Sequence, residues 1–353
     1  MSTYWIMLML PVLFGLSPVR ADHNLKKILL WLFVLVLIIL IGLRHEIGGD
    51  WFRYLDTAYG ISRGNSFDFL SFYTGDYGYR LIHWVSINYL NGIYATNLIH
   101  AIFFVVGLVR FCRAMPIPWI ALFVSIPFLI VVVSMGYTRQ AAAIGFLMWG
   151  LVDLINGKKS NFFISLLFGA LFHYTVLIML PIGVLYSLNK GSFFRNLTIF
   201  ILAVLSSAFM YIFFISKIEH MMYYYITIKF HHSDGALVRV FISFLSAIIF
   251  FIYRDKFRKT FHDEKLWFIF SVASIMMLPL AFYYSTFADR IAIYFLPLQM
   301  VILSRIPTLI ASRYYRTLFI LGVLLLYVSA LFVWLNFGSY SGLWLPYQNL
   351  LTL

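Results

Sequence analysis

Apolar runs long enough to cross a bilayer recur from one end of this chain to the other. Ile28–Leu43, Ala95–Val109 and Thr317–Leu335 approach the ~20 residues that a transmembrane helix needs, and comparable runs fill most of the sequence between them. Of the 353 residues, 63% are hydrophobic and 11% charged, against about a quarter charged in soluble domains. A soluble globular fold is excluded. The expectation is an all-α polytopic membrane protein, a single integral membrane domain over residues 1–353 with outer loops at 44–78 and 217–236. Met1–Val19 lacks a charged leading region and a small-residue cleavage pattern, so it reads as a retained first helix. With one cysteine, Cys112, an internal disulfide and a Cys-based metal cage are both excluded. The net charge of +13 is spread between apolar segments rather than gathered on one face, which argues against a nucleic-acid partner and for topology signals.

Reading the basic clusters as cytoplasmic places Arg20–Lys27, Arg110–Arg113, Lys158–Lys159, Lys190–Arg195, Arg254–Lys265 and Arg305–Arg316 on one side. That side then holds 17 of the 26 Lys/Arg and 5 of the 13 Asp/Glu. The asymmetry predicts about ten transmembrane helices, with both termini outside. Asn161–Ser187 is too short for two crossings, has basic residues at both flanks, and is read as a re-entrant hairpin with its tip near Phe172–His173–Tyr174. Ile117–Leu154 and Leu266–Ser304 are each about twice a helix length and carry Arg139 and Arg290 near their middles, so each predicts a helical hairpin turning at the outer surface. An arginine at membrane depth costs about 2.5–3.5 kcal/mol on insertion scales and needs a partner or an aqueous cavity.

The remaining unusual chemistry gathers on the outer side. Loop 44–78 holds Arg44, His45, Glu46, Asp50, Arg53, Tyr54, Asp56 and Asp76, with Gly48–Gly49 suited to a tight turn beside Asp50. Tyr79–Leu90 is partly amphipathic and reads as a helix lying in the interface. The second loop carries Glu219, His220, Tyr223–Tyr225, His231, His232, Asp234 and, just beyond it, Arg239, a mixture of aromatic and polar groups suited to sugars and equally to an interfacial aromatic belt. Adjacent His231 and His232 diverge on any regular element, so no metal site is read there.

The ordered set Arg44…Gly48-Gly49-Asp50-xx-Tyr54, Asp76-Tyr77-Gly78-Tyr79, Ser134-Met135-Gly136-Tyr137-Thr138-Arg139-Gln140, Phe172-His173-Tyr174, Asp289-Arg290…Tyr294 and Trp344-Leu345-Pro346-Tyr347 resembles the EpsG-type Wzy polysaccharide polymerases. Asp76 stands where a glutamate often precedes the Gly-aromatic element. The resemblance implies a glycosyltransferase of GT-C-like architecture in the bacterial inner membrane. It would join undecaprenyl-diphosphate-linked oligosaccharide repeat units on the periplasmic face, with a chain-length regulator and a flippase as partners. Such a transfer needs a base for the acceptor hydroxyl and cations for the diphosphate. Asp50, His173 and Glu46 compete for the first role. Arg139 and Arg290 suit the second because guanidinium binds phosphate bidentately and stays charged. Arg239, Arg44, Tyr137, Gln140, Asp289 and Tyr347 complete the expected substrate contacts, Asp289 as a group that orients Arg290. The sequence has no DxD-type element to hold a divalent ion, so no metal or cofactor is expected. A flippase of lipid-linked sugars, a related ligase and a membrane acyltransferase with His173 as base are the competing readings. A flippase would commonly carry two related halves, and none is evident.

Overall fold

The computed structural model describes residues 1–16, 23–63, 76–188 and 235–353, with positions 197, 201, 204, 219 and 223 in isolation. His220, Tyr224, Tyr225, His231, His232 and Asp234 lie outside the described residues. All regular elements among the described residues are helical, joined by one isolated bridge between Arg44 and Asn349. The helices are α1 (Ser2–Leu16), α2 (His23–Gly42), α3 (Trp51–Ser62), α4 (Tyr77–Tyr89), α5 (Gly92–Arg113), α6 (Pro118–Ser125), α7 (Thr138–Ile155), α8 (Lys159–Phe172) and α9 (Leu180–Ser187). After the partly described stretch come α10 (Ala236–Thr260), α11 (Glu264–Tyr283), α12 (Ser285–Ala292), α13 (Leu296–Leu309) and α14 (Arg313–Phe337).

Among the described residues, five helices are long and apolar enough to cross a membrane: Gly92–Arg113, Ala236–Thr260, Glu264–Tyr283, the continuous run Ser285–Leu309 and Arg313–Phe337. Their burial differs sharply. The Ser285–Leu309 run is 94% buried in its most apolar window and Arg313–Phe337 only 28%, so α13 is the axis of the bundle and α14 lies at its rim. Leu318, Leu321, Leu325 and Phe332 of α14 face outward, the arrangement expected where the surrounding solvent is hydrocarbon.

Polar contacts mark the two ends of the bundle. At one end Arg110 grips Asp153 (2.7 Å), Arg254 meets Glu264 (2.6 Å) and Arg305 holds the buried Asp263 bidentately (2.7 and 2.9 Å). Most of the basic clusters read as cytoplasmic are here. At the other end the first turn of α1 meets the carboxyl-terminal segment: Tyr4 Oη donates to the Trp344 carbonyl (2.7 Å), Gly48 N–H to the Leu343 carbonyl (2.9 Å) and Tyr347 Oη to the Leu40 carbonyl (2.8 Å). Both chain ends therefore share the end that holds Asp50.

The two long apolar segments do form hairpins. The first rises as α6, continues as nine π-helical residues Ile126–Ser134, breaks at Met135–Tyr137 and descends as α7 with Arg139 in its first turn. The second turns at Tyr284, at its middle, and Arg290 lies just beyond the turn in the short α12. Segment 159–187 folds back on itself: α8 ends at Phe172, His173 is extended, Tyr174–Met179 forms a 3-10 turn and α9 returns. Lys159 Nζ donates to the Ser187 carbonyl (2.8 Å), so entrance and exit lie side by side. Lys265, at the Arg254–Glu264 end, reaches the carbonyl of Leu188 (2.8 Å). His173 is thus held at the far tip.

Helix α4 is amphipathic in the reverse sense to a helix lying on a surface. Tyr79, His83 and Ser86 are buried while Leu81 is exposed, because the facing stripe of α5 is itself polar and His83 Nδ1 meets Thr96 Oγ1 (3.0 Å).

Helices α5 and α7 touch through Gly107 and Gly145. A Cβ at Gly145 would stand 2.5 Å from the Phe103 carbonyl oxygen, and one at Gly107 would overlap the Gly145 carbonyl. Small residues let helix backbones approach closely where lipid offers no hydrophobic drive between helices. Gly145→Leu is expected to destabilise the fold by roughly 1–3 kcal/mol or more through overpacking, read as a lowered thermal midpoint in detergent. Gly322→Leu, where a side chain meets open space, should leave the midpoint within error.

Candidate functional site

Three chain breaks converge at the end of the bundle where both termini lie. Gly48 has φ +103°, and a Cβ there would collide with the Met135 carbonyl, so only glycine allows this turn to dock on the end of the π-helical segment. The same turn sets Asp50 immediately before α3. Gly136 lies beneath the Trp344 ring, where a Cβ would stand 2.6 Å from Cζ2. Trp344 is itself pinned by its indole N–H to the Val131 carbonyl (2.8 Å). A π-helical turn lifts backbone carbonyls out of the ordinary i−4 register, and here the Val131 carbonyl accepts from a tryptophan.

Between these breaks opens a cavity of about 380 Å³ whose lining includes Asp50, Tyr137, Arg239, Asp289 and Arg290. Apolar side chains line it too: Phe128 and Val132 from the π-helical segment, Val333 and Phe337 from α14. Arg239 and Asp289 form a buried, bidentate pair (Nε–Oδ1 2.7 Å, Nη2–Oδ2 2.6 Å). Asp289 therefore positions Arg239, a pairing that the sequence expectation did not include. The Arg290 guanidinium rests over the Tyr137 ring, 4.4 Å from its centroid. Its backbone is fixed by Gln140, whose Nε2 donates to the Arg290 carbonyl (3.1 Å).

A second cluster adjoins the first through α3. Tyr54 Oη donates to Asp50 Oδ2 (3.2 Å), and burial, then the neighbouring Asp50 charge, push the Tyr54 phenol up to about 12. Tyr54 remains a donor at any working pH. The Arg139 guanidinium lies over the rings of Tyr54 (5.9 Å) and Tyr79 (5.6 Å) and donates to Asp76 Oδ2 (2.8 Å). The other Asp76 oxygen faces His173 Nδ1 at 3.6 Å. Asp76 is buried, sits at φ 56° and heads α4. Gly78 lets that helix start press against Leu171 and Phe172 at the hairpin tip, and Thr175 and Tyr294 share a hydrogen bond (2.6 Å) that ties the tip to the chain just beyond α12.

Of the expected site residues, Asp50, Tyr137, Arg239, Asp289 and Arg290 line one cavity, Arg139 and His173 meet at Asp76, and Gln140 supports Arg290. Three lie apart from these groups. Arg44 is 1% exposed and donates to Thr138 Oγ1 (2.7 Å) and to the carbonyls of Ile41 (2.6 Å) and Ile47 (3.3 Å), bracing the bend after α2. Tyr347 packs edge-on to Tyr4. Glu46 is exposed beside His45 (3.8 Å). Asp76 is the residue that sequence reasoning passed over as a functional group: it appeared as one of several loop acids. The signal was its place directly before Tyr77-Gly78-Tyr79, where a helix starts and a glycine permits close approach.

A family model matches residues 27–349, nearly the whole chain and every break described above. The chain belongs to the EpsG family. This EpsG-family chain is therefore a membrane protein of the polysaccharide polymerase type, Wzy-like in kind. Neither a curated protein nor a solved structure matches it.

Proposed function

We propose that this chain polymerises a surface glycan by transferring the growing saccharide from undecaprenyl diphosphate to a hydroxyl of an incoming lipid-linked repeat unit. The observation that carries the reading is a cavity lined both by charged side chains, Arg239, Arg290, Asp289 and Asp50, and by apolar ones, Phe128, Val132, Val333 and Phe337. A lipid diphosphate has the same division, a charged head next to an apolar chain. In the reaction the bond between the anomeric carbon and the diphosphate oxygen breaks, and the acceptor oxygen forms the new bond to that carbon. The acceptor proton passes to a base, and the freed diphosphate keeps the electron pair. Arg290 meets the charge that develops on the diphosphate, with Arg239 held ready by Asp289 and Arg139 across Tyr54. Asp50 takes the proton, because it lines the same cavity as Arg290 and its second carboxylate oxygen, Oδ1, takes no hydrogen bond among the described residues. Arginine supplies the charge that a divalent ion supplies in other transferases, so activity should persist in EDTA.

The proposed setting is a GT-C-like inner-membrane protein with about ten crossings, a re-entrant segment at 159–187 and the cavity open to the periplasm. Reporter fusions after Ser62 should score as periplasmic and one after Lys259 as cytoplasmic. A cytoplasmic score after Ser62 would put the cavity on the wrong side for this reaction. The function itself is tested by gel analysis of surface polysaccharide from a deletion strain. Single repeat units on the core are expected, and they should extend to long chains when the gene is restored. Absence of any unit beyond the core would point instead to a ligase or exporter, and full-length chains lacking a substituent to an acyltransferase.

A further inference from the structure

Away from that cavity, at the end of the bundle holding the Arg110–Asp153 pair, two apolar clefts meet at Trp149 and Val106. One, of about 550 Å³, runs between α5, α7 and α8 past Ile102, Phe103, Ile164 and Phe168. The other, of about 430 Å³, runs between α2 and α5 past Trp31, Val34 and Val109. Val106 and Trp149 line both. Along α5 the clefts cover the stretch from Ile102 to Arg113, roughly 16 Å at 1.5 Å per residue, the scale of one extended acyl chain within a bilayer leaflet. Arg110 and Arg113 line the second cleft, and Asp153, the partner of Arg110, lines the first. Arg110 is committed: it grips Asp153 (2.7 Å) and stacks on the Trp149 ring at 4.0 Å, so its charge is balanced and Trp149 is held upright between the clefts. Arg113 is exposed and takes no carboxylate partner among the described residues, which leaves one positive charge in the second cleft.

We propose that this Y-shaped groove is a binding site for one diacyl phospholipid with an anionic headgroup, one chain in each cleft and the phosphate on Arg113. Two clefts that meet at Val106 and Trp149, with the Arg113 cation lining one of them, match two chains and one phosphate on one glycerol. A single-chain polyprenyl lipid would fill one cleft and leave the other empty. Exposed Trp31 and Trp149 at the rim are the side chains that favour the headgroup boundary, and the excess of Arg and Lys at this end fits an anionic leaflet. The site is independent of the polymerase reading and stands or falls without it.

The test is lipid retention by the purified full-length protein, read by native mass spectrometry after exchange into detergent doped with phosphatidylglycerol, phosphatidylcholine or undecaprenyl phosphate. One phosphatidylglycerol per chain is expected, retained about fivefold better than phosphatidylcholine, the factor that one surface cation contributes near an anionic lipid. Arg113→Gln, an exposed substitution that the fold should accept, is expected to erase that preference. Val106→Trp should remove both phospholipids by filling the junction of the clefts. Equal retention of the two phospholipids, or a phosphatidylglycerol preference unchanged in Arg113→Gln, overturns the proposal. Arg113-dependent retention of undecaprenyl phosphate above phosphatidylglycerol overturns it too, in favour of a substrate lipid. If Val106→Trp does not fold, the Arg113→Gln comparison decides alone.

Discussion

Arg290→Ala and Arg139→Ala are each expected to lower polymerisation by about 10²–10³, the usual loss when one donor to developing negative charge is removed, with protein level maintained. The lysine variants separate charge from shape. Arg290 lies flat on the Tyr137 ring, and Arg139 reaches Asp76 from above two tyrosines. Both settings use a planar, delocalised cation. Lysine keeps the charge but neither stacks in this way nor presents two parallel N–H groups to a diphosphate, so Arg290→Lys should recover only a small part of the loss. For Arg139 the competing account is structural: without it Asp76 is left a buried carboxylate. Arg139→Ala should therefore also lower the thermal midpoint, whereas Arg290→Ala, which removes a partly exposed guanidinium lying over the Tyr137 ring, should lower it less. The measurement is glycan chain length by gel, beside the midpoint of the purified variant. Near-normal long chains from both lysine variants would reduce these arginines to residues that merely reach the interface and pair with headgroups.

The sequence carried the architecture because hydrophobicity and charge act at long range in a membrane protein. Each hairpin, its turn at the end that holds Asp50 and the fold-back of 159–187 follow from apolar length set against basic flanks, and the Lys159–Ser187 contact reflects that simple rule. The site was legible only by class. That Arg139 and Arg290 required partners followed from the cost of placing them in hydrocarbon, but which partners did not, because a guanidinium reaches several ångströms and the choice is made by helix rotation. Asp289 adjoins Arg290 in sequence yet grips Arg239, fifty residues away, since neighbouring side chains on a helix point in different directions. Arg44 looked like a loop cation. Its burial against Thr138 depends on the bend after α2, which no local pattern encodes. The inward polar face of α4 likewise becomes readable only once α5 is known to present Thr96 and His100 to it.

Asp50→Asn is expected to lower the polymerisation rate by about 10²–10⁴, the contribution of a general base, without moving the thermal midpoint. The substitution is nearly isosteric and retains an oxygen to accept from Tyr54. His173 is the rival. It sits at the hairpin tip with Nδ1 3.6 Å from Asp76, the arrangement in which a carboxylate orients an imidazole for proton transfer. The geometry nevertheless separates the two: Asp50 lines the cavity that holds Arg290 and Arg239, whereas His173 reaches that cavity only through Asp76, Arg139 and Tyr54. If Asp50 is the base, His173→Gln should act by loosening the hold on Asp76 and Arg139. It would then cost about tenfold or less, because at 3.6 Å His173 only neighbours that carboxylate, and the residual activity would keep the wild-type pH dependence. A membrane-based assay with defined lipid-linked repeat units across pH 5–9 provides both readouts. A loss of about 10³ in His173→Gln, with Asp50→Asn nearly unaffected, would move the base to the hairpin tip and make Asp76 its orienting partner. In that case the cavity carboxylate would serve only to hold Tyr54 beneath Arg139.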